Sequence, residues 1–158
     1  MLNHPFSPVC DEHARILILG SFPSVKSREQ GFFYGHPQNR FWQVLSAVFG
    51  EEVPMTVPER RAFLLRCGVA LWDVLAACEI KGSADASIRQ AEPNDLAMIL
   101  AKAPIRAIYA NGQTAGNLYH KFDEPKLMRP AVVLPSTSPA NAAWSLDRLI
   151  EAWKVIRA

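Results

Sequence analysis

The residue types best suited to chemistry lie in the segment 35–42, which reads GHPQNRFW. Asn39 follows a turn containing Gly35 and Pro37 and leads into an apolar helix that begins with Phe41 and Trp42. The Asn39 side chain does not titrate, but its carbonyl can accept and its NH₂ can donate hydrogen bonds. It could therefore orient a water molecule or stabilise a developing negative charge. Asn is also a favoured N-cap, so capping a helix that starts at Arg40 is the competing interpretation, and the two roles can coexist.

Two further loops are suited to ligand binding. The apolar run 16–19 leads into GSFPS at 20–24, and the apolar run 132–134 leads into PSTSPAN at 135–141. Both loops combine small polar residues with prolines that stiffen the backbone. Open α/β proteins bind ligands where such loops follow the carboxyl ends of parallel strands, so we expect a site at this edge of a sheet.

The elements that would position these loops can be predicted from the hydrophobic pattern. Short, nearly continuous apolar runs predict strands buried on both faces of a parallel sheet, at 15–19, 69–72, 105–110 and 131–134. Helical patterns lie between them and after the last: one begins near Phe41, Pro58 and Pro93 each open one, and Ser145 is a candidate N-cap for the last. The polar stretch 81–92 is predicted to be a surface loop. Helices that alternate with buried strands indicate one three-layer α/β domain over residues 1–158, with mostly parallel pairing.

Composition sets broad limits on function. The 158 residues are 49% hydrophobic and 20% charged, which is typical of a globular protein, and no apolar run approaches the roughly 20 residues of a membrane span. Cys10, Cys67 and Cys78 are dispersed, so we expect a reducing, cytoplasmic setting and no metal site. The net charge of +2 permits nucleic-acid binding without requiring it.

Five segments together resemble a known family: GSFPS at 20–24, FFYGHPQNRFW at 32–42, GVALWDVLAACE at 68–79, ANG at 110–112 and LPSTSPANA at 134–142. The sequence resembles the uracil-DNA glycosylase superfamily, and most closely its hypoxanthine-DNA (deoxyinosine) glycosylase branch. The resemblance implies an α/β/α sandwich with a central four-stranded, mostly parallel sheet, no cofactor, and double-stranded DNA containing a damaged base as the partner. Several branches carry a catalytic Asp or Asn in the first loop, where this chain has Ser21 and Phe22. The resemblance therefore implies that Asn39 takes the catalytic role.

The resemblance also implies a pocket for a base flipped out of DNA. Asp73 would read its Watson–Crick edge, since an ionised carboxylate accepts N1–H of hypoxanthine and repels the bare N1 of adenine. Uracil N3–H could be accepted too, and a loop hydrogen bond or helix cap is the alternative role for Asp73. Phe33 or Tyr34 would stack on the base or pack in the core, and His36 would approach the base or a phosphate or bond the backbone. The expected pocket residues are Ser21, Phe22, Phe33, Tyr34, His36 and Asp73.

The loop 136–141 is expected to contact the DNA backbone. Its three hydroxyls and exposed backbone N–H groups could bind phosphates, and Ala140 and Asn141 stand near the place where relatives insert a wedge residue. A polar surface turn is the alternative interpretation. The expected DNA-binding residues are Ser24, Lys26, Ser136, Thr137, Ser138, Pro139, Ala140 and Asn141.

These observations predict a monomeric, monofunctional DNA-repair glycosylase. It would flip a deaminated base, most directly hypoxanthine, out of DNA and hydrolyse its N-glycosidic bond with a water positioned by Asn39. No Lys in the matching segments is placed to form a Schiff base, so no coupled strand cleavage is expected. The alternatives are a uracil or mismatch glycosylase, a non-catalytic nucleic-acid-binding module of the same fold, and a small-nucleotide hydrolase.

Overall fold

A computed structural model describes residues 1–157. The strands are β1 (Leu2–Asn3), β2 (Ile16–Gly20), β3 (Val69–Asp73), β4 (Leu75–Glu79), β5 (Arg89–Pro93), β6 (Ala107–Asn111) and β7 (Val132–Leu134). The helices are α1 (Val25–Gln30), α2 (Phe41–Phe49), α3 (Val57–Arg66), α4 (Ala97–Lys102), α5 (Gln113–Phe122), α6 (Glu124–Leu127) and α7 (Leu146–Trp153). Short 3₁₀ helices occur at Asp85–Ser87 and Lys154–Arg157.

The central sheet has four strands in the order β3-β2-β6-β7, and every pairing is parallel. Every residue of β2 and β3 is buried, as continuous apolar runs in a covered parallel sheet require. The register places Gly20 beside Asp73, and Asn111 beside Leu134. The carboxyl ends of the strands therefore meet at one edge. A four-stranded parallel sheet surrounded by helices confirms the predicted α/β/α fold class.

The last strand departs from the prediction. Val132 and Val133 are 51% and 42% exposed, so β7 is not buried on both faces as the sequence pattern suggested. The reason is its position, because β7 is the edge strand and pairs only with β6. The third strand is also shifted, since β6 begins at Ala107 rather than at residue 105.

A second, antiparallel sheet in the order β1-β4-β5 was not predicted. The stretch 81–92, predicted to be a surface loop, contains a 3₁₀ turn and most of strand β5. Pro93 was predicted to open a helix; instead it ends β5, and α4 begins at Ala97. β5 is an edge strand, where a residue without an N–H is tolerated.

The other helix signals are confirmed. Thr56 and Glu59 form a reciprocal capping box at the start of α3, with Pro58 in its first turn. Ser145 caps α7 by accepting from the Arg148 N–H. α7 packs against α2, where the Trp153 and Phe41 rings lie 6.1 Å apart, and the Trp153 Nε1–H donates to the Pro135 carbonyl at 2.9 Å. This contact fixes the loop after β7 relative to the start of α2.

Within residues 1–157, no helix has the length and apolar character needed to cross a membrane.

Candidate active site

A cavity opens at the carboxyl edge of the parallel sheet, as expected from the loops. It is lined by most of the predicted site residues: Ser21, Phe22, Ser24, Phe33, Tyr34, His36, Asn39, Asp73, Ser136, Thr137, Ser138 and Pro139. Two residues that sequence reasoning missed, Ser83 and Asp85, also line it, as does Asn111 of the ANG segment, for which no catalytic role was predicted. Lys26, Ala140 and Asn141 are not among the lining residues. Each strand of the central sheet therefore contributes at least one residue at or just beyond its carboxyl end.

Asn39 stands immediately before α2, and its side-chain oxygen is fully used. Oδ1 accepts the backbone N–H of Phe41 at 3.0 Å and the hydroxyl of Thr137 at 2.8 Å. The first contact orients the amide, because a backbone N–H can only donate and so must face oxygen. The helix begins at Phe41 with Arg40 at the N-cap position, so Asn39 is not the N-cap of a helix starting at Arg40; it instead accepts the Phe41 N–H in an i to i+2 hydrogen bond just before α2.

The direction of the hydrogen bond from Thr137 is also fixed. Asn111 Oδ1 accepts the Thr137 N–H at 3.0 Å, so Asn111 Nδ2 is the group that donates to Thr137 Oγ1 at 3.0 Å. Because Oγ1 already accepts from Asn111, its proton goes to Asn39 Oδ1. Thr137 is 0% exposed, so the central hydroxyl of this relay from Asn111 to Asn39 is shielded from water, whereas the two Asn residues are half-buried.

The relay corrects one expectation about Asn39. Both lone pairs of Oδ1 are engaged by protein donors, so the carbonyl is not free to orient a water. Nδ2 makes no hydrogen bond to the described residues, and Asn39 lines the cavity. The group that Asn39 offers to a ligand is its NH₂. Hydrogen bonds accepted by the oxygen polarise the amide and strengthen these N–H donors.

Asp73, the last residue of β3, is held by a residue that was not predicted. His4 Nε2 lies 2.8 Å from Asp73 Oδ2, and the two side chains are 4% and 5% exposed. The other oxygen, Oδ1, lies beside Gly20, where a Cβ would approach it to 2.3 Å and the Tyr34 hydroxyl to 3.0 Å. The absence of a side chain at Gly20 therefore leaves the space that Oδ1 occupies, and both Gly20 and Asp73 line the cavity. No motif in the first residues of the sequence indicated His4, because its role depends on a contact 69 residues away.

Of the two aromatic residues, Tyr34 lies in the wall of the cavity and Phe33 packs mainly in the hydrophobic core. Tyr34 has a φ of 51°, and its ring stacks on Phe41 at 4.0 Å with an interplanar angle of 17°. One ring face is thus covered by protein. Among the described residues its hydroxyl makes no hydrogen bond of normal geometry. Burial raises the pKa of Tyr34 far above its usual value and the nearby Asp73 charge adds to this, although the Asn111 side chain is near enough to lower it. Phe33 is 2% exposed and meets Phe6 edge-on at 4.7 Å, which is core packing with one side at the cavity.

His36 forms a hydrogen bond with the backbone, which is one of the roles expected for it. Its Nδ1 accepts the Gln38 N–H at 3.1 Å, so in the neutral ring the proton lies on Nε2. His36 also lines the cavity, where Nε2–H can serve as a further donor.

The loop 135–141 is held by its own side chains. The N–H groups of Ser138 and Ala140 donate to the hydroxyl oxygens of Ser136 and Ser138, each at 3.1 Å, and the Asn141 N–H donates to the Ser138 carbonyl at 3.0 Å. The expectation of exposed backbone N–H groups for phosphate is therefore wrong for these residues. What the loop offers is the hydroxyl protons of Ser136 and Ser138.

Arg40 also holds this loop in place, through hydrogen bonds to backbone carbonyls. Its guanidinium donates to the carbonyls of Trp144, Ser138 and Asn141, the latter two at 3.0 and 3.1 Å. Its backbone N–H donates to the Thr137 carbonyl at 3.0 Å. The residue after Asn39 thus fixes the loop that carries Thr137, so the two halves of the relay are tied together.

Asp85 brings a second carboxylate to the cavity from the stretch between β4 and β5. The Ser21 hydroxyl donates to its Oδ1 at 2.8 Å. Burial raises the pKa of the Asp85 carboxyl, the Ser21 hydrogen bond lowers it, and the Asp73 charge raises it. Asp85 lies in an exposed stretch, but its carboxyl lines the cavity and bonds the buried Ser21. Its stretch is anchored to α1, since Ser83 Oγ accepts the Val25 N–H at 2.9 Å.

The remaining predicted DNA contacts lie outside the cavity. Lys26 is exposed on α1 and pairs with Glu29 at 3.4 Å. Ala140 is exposed at the tip of its loop, and Asn141 Nδ2 donates to the Ser136 carbonyl at 3.0 Å. Among residues 1–157, no group of three or more His, Cys, Asp or Glu side chains is arranged to hold a metal ion.

Comparison with known proteins supplies the context for this geometry. The family model described as the uracil DNA glycosylase superfamily matches residues 7–157. A curated protein named hypoxanthine DNA glycosylase from Methanosarcina acetivorans is 35% identical over 161 residues, covering 99% of this chain and 98% of that protein. One of the same name from Methanosarcina barkeri is 36% identical over 118 residues, covering 73% and 75%. A solution NMR structure of a candidate uracil DNA glycosylase from M. acetivorans superposes with a TM-score of 0.84 at 35% identity, covering 99% and 98%.

Proposed function

The chain belongs to the uracil DNA glycosylase superfamily, and from this premise we propose that it excises hypoxanthine from double-stranded DNA. Membership makes it a DNA glycosylase, with DNA as its substrate. Two relatives named hypoxanthine DNA glycosylase support the choice of base. The observation that carries the proposal is the pairing, in one cavity, of the free Asn39 NH₂ with the inward-facing Asp73 Oδ1.

The reaction replaces the bond between C1′ and the base nitrogen with a bond to water oxygen. The electron pair of the broken bond leaves with the base, and the sugar passes through an oxocarbenium-like state. Water adds to C1′ and loses a proton, and the departing base gains one. The atoms and charges balance without a cofactor or metal, so we propose that neither is needed.

Asn39 acts in this scheme as a donor. One N–H of Nδ2 holds the attacking water through the water oxygen, leaving a second lone pair for C1′. The other N–H faces the departing base, where negative charge develops. Preorganised donors of this kind are worth about 10²–10³ in rate each. The relay through Thr137 and Asn111 keeps the amide in this orientation before the substrate arrives.

Asp73 acts as the acceptor that selects the base. With Oδ2 occupied by His4, Oδ1 takes the N1–H of hypoxanthine and repels the N1 lone pair of adenine. Uracil also carries an N–H at the corresponding edge, so the pocket's size must separate the two bases. We assign the contact with the DNA backbone beside the flipped nucleotide to the Ser136 and Ser138 hydroxyls, which line the cavity, whereas Ser24 Oγ is engaged with Ser27 at the start of α1.

We propose that the enzyme is a monofunctional monomer. Among the described residues no Lys lines the cavity, and the thiol pKa values of the three cysteines are raised, principally by burial. A covalent sugar–enzyme intermediate therefore has no evident nucleophile, and the product is an intact strand with an abasic site.

Matched duplexes carrying one hypoxanthine, uracil, xanthine or no lesion test the proposal. Each is incubated with the protein, and strand breaks are scored with and without alkali. Alkali-dependent breakage at hypoxanthine is the expected result. Breakage at uracil alone would keep the reaction and overturn the base, and breakage without alkali would overturn monofunctional action. Binding without loss of any base would indicate a non-catalytic module.

A further inference from the structure

His4 lies outside every segment that carries the family resemblance, yet it contacts Asp73, which lines the cavity. It follows β1, which pairs with β4, and its backbone N–H donates to the Ala76 carbonyl at 2.6 Å. This anchor turns the imidazole toward Asp73, with Nε2 2.8 Å from Oδ2. The antiparallel sheet thus positions the His4 side chain beside Asp73, at the carboxyl end of strand β3 in the parallel sheet.

The tautomer of His4 follows from a second contact. The Phe6 N–H donates to His4 Nδ1 at 3.4 Å, a long bond but one in which Nδ1 can only accept. A neutral ring then carries its proton on Nε2, which donates to Asp73 Oδ2. One oxygen of the carboxylate is therefore satisfied by protein, and Oδ1 is the oxygen directed toward the cavity.

Aromatic rings hold the imidazole in this position. Phe6 lies 4.6 Å from it, Phe22 and Phe33 each lie 6.0 Å away, and Trp72 lies at 6.5 Å. The His4 side chain is 4% exposed, so water does not compete for its Nε2–H. A donor that can neither rotate nor hydrate fixes the plane of the carboxylate that it binds.

We propose that His4 is a positioning residue for base recognition, acting through Asp73. His4 holds Oδ2 so that Oδ1 accepts the N–H of the flipped base at the correct angle. Strand β1, which anchors His4, therefore contributes to base specificity. Gly20 leaves the space that Oδ1 occupies, and the Asp85 carboxyl, whose pKa the Asp73 charge helps to raise, is a second acidic group near this carboxylate. This inference rests on the proposed excision of hypoxanthine.

The test compares His4→Phe with His4→Gln in single-turnover excision of hypoxanthine from duplex DNA. Gln places an N–H donor near the position of Nε2, whereas Phe keeps the ring volume and removes the donor. We expect His4→Phe to lose at least about tenfold in rate, the effect of one lost hydrogen bond to a charged group. His4→Gln should stay within about threefold of wild type, since the donor is retained. His13→Gln, at an exposed histidine, serves as the control.

A double-mutant cycle then separates positioning from simple destabilisation. In an Asp73→Asn background, His4→Phe should cause little further loss, because residues that act through one contact are not additive. Equal rates for wild type and folded His4→Phe would overturn the inference while leaving the proposed function intact. Equal losses in Phe and Gln variants would show a structural role only and also overturn it. If wild-type protein releases no hypoxanthine, the proposed function fails first and the inference falls with it.

Discussion

The hydroxyl of Thr137 donates to the side-chain oxygen of Asn39 at 2.8 Å, joining two residues that are 98 positions apart in the chain. This contact decides which end of the amide faces the cavity. With Phe41 as the second donor, Oδ1 is saturated and Nδ2 is left for the substrate. The hydrogen bonds that Asn39 accepts from Phe41 and Thr137 and its proposed catalytic role therefore use different atoms and do not compete.

Thr137→Val tests the relay. Val keeps the shape of Thr but removes the hydroxyl, leaving Asn111 Nδ2 and one lone pair of Asn39 Oδ1 without partners. We expect a loss of about 1–3 kcal/mol in the free energy of unfolding, the cost of unpaired buried polar groups. The excision rate should fall about tenfold because the amide is less well oriented. Thermal unfolding measures the stability, and single-turnover assays measure the excision rate. Thr137→Ser, which keeps the hydroxyl, should retain most of the wild-type stability and rate. A Val variant with wild-type rate would show that the relay does not matter.

Asp73→Asn tests the reading of the base. Asn would accept the His4 Nε2–H through its oxygen and so present NH₂ where the carboxylate oxygen faced the cavity. That reversal removes the acceptor for N1–H, so hypoxanthine excision should fall about 10- to 100-fold. Rates on duplexes containing hypoxanthine, uracil or only normal bases give the measurement, with exposed Asp147→Asn as the control. An unchanged preference for hypoxanthine would show that Asp73 does not select the base.

Asp85→Asn gives a pH-dependent prediction. Burial, reinforced by the Asp73 charge and opposed by the Ser21 hydrogen bond, raises the pKa of the Asp85 carboxyl in the folded protein. Just above the ordinary carboxyl pKa of about 4, the folded protein then binds more protons than the unfolded chain. Its stability therefore falls as pH rises through that window. Asn keeps an acceptor for Ser21 and cannot ionise, so the Asp85→Asn variant should not lose stability through this group as pH rises.

Melting temperatures of wild type and Asp85→Asn at pH 4 and pH 7 check the sign. The variant's advantage should be larger at pH 7 than at pH 4. For Glu52→Gln, at an exposed carboxyl, the difference in melting temperature from wild type should not increase between pH 4 and pH 7. A constant difference between the two pH values would contradict the assigned cause.

The sequence predicted the central sheet and the position of the cavity well, for identifiable reasons. The strands β2 and β3 are continuous apolar runs, and the loops that follow β2 and β7 contain recognisable motifs. The matches to the uracil DNA glycosylase superfamily confirm the resemblance drawn from those motifs. The roles assigned to individual site residues remain predictions.

The parts that were missed have no local signal. Strand β5 reads RQAEP, which is polar and mostly exposed, so its pairing with β4 rather than its composition makes it a strand. Asp85 lines the cavity and bonds Ser21, 64 positions away, and His4 bonds the cavity residue Asp73, 69 positions away. The orientation of the Asn39 amide likewise depends on Thr137, and no property of residues 35–42 reveals it.

The most direct test of the account compares wild type, Asn39→Asp and Asn39→Ala in single-turnover excision of hypoxanthine from duplex DNA. Asp retains an oxygen that can accept from Phe41 and Thr137, so it preserves the structural contacts, and it replaces the N–H donors with a second acceptor oxygen and a negative charge. Thermal unfolding should confirm that Asn39→Asp is folded. If the NH₂ is the acting group, both variants should lose about 10²–10³ in rate. Wild-type activity in Asn39→Asp would contradict donor catalysis, and wild-type activity in Asn39→Ala would remove Asn39 from the reaction altogether.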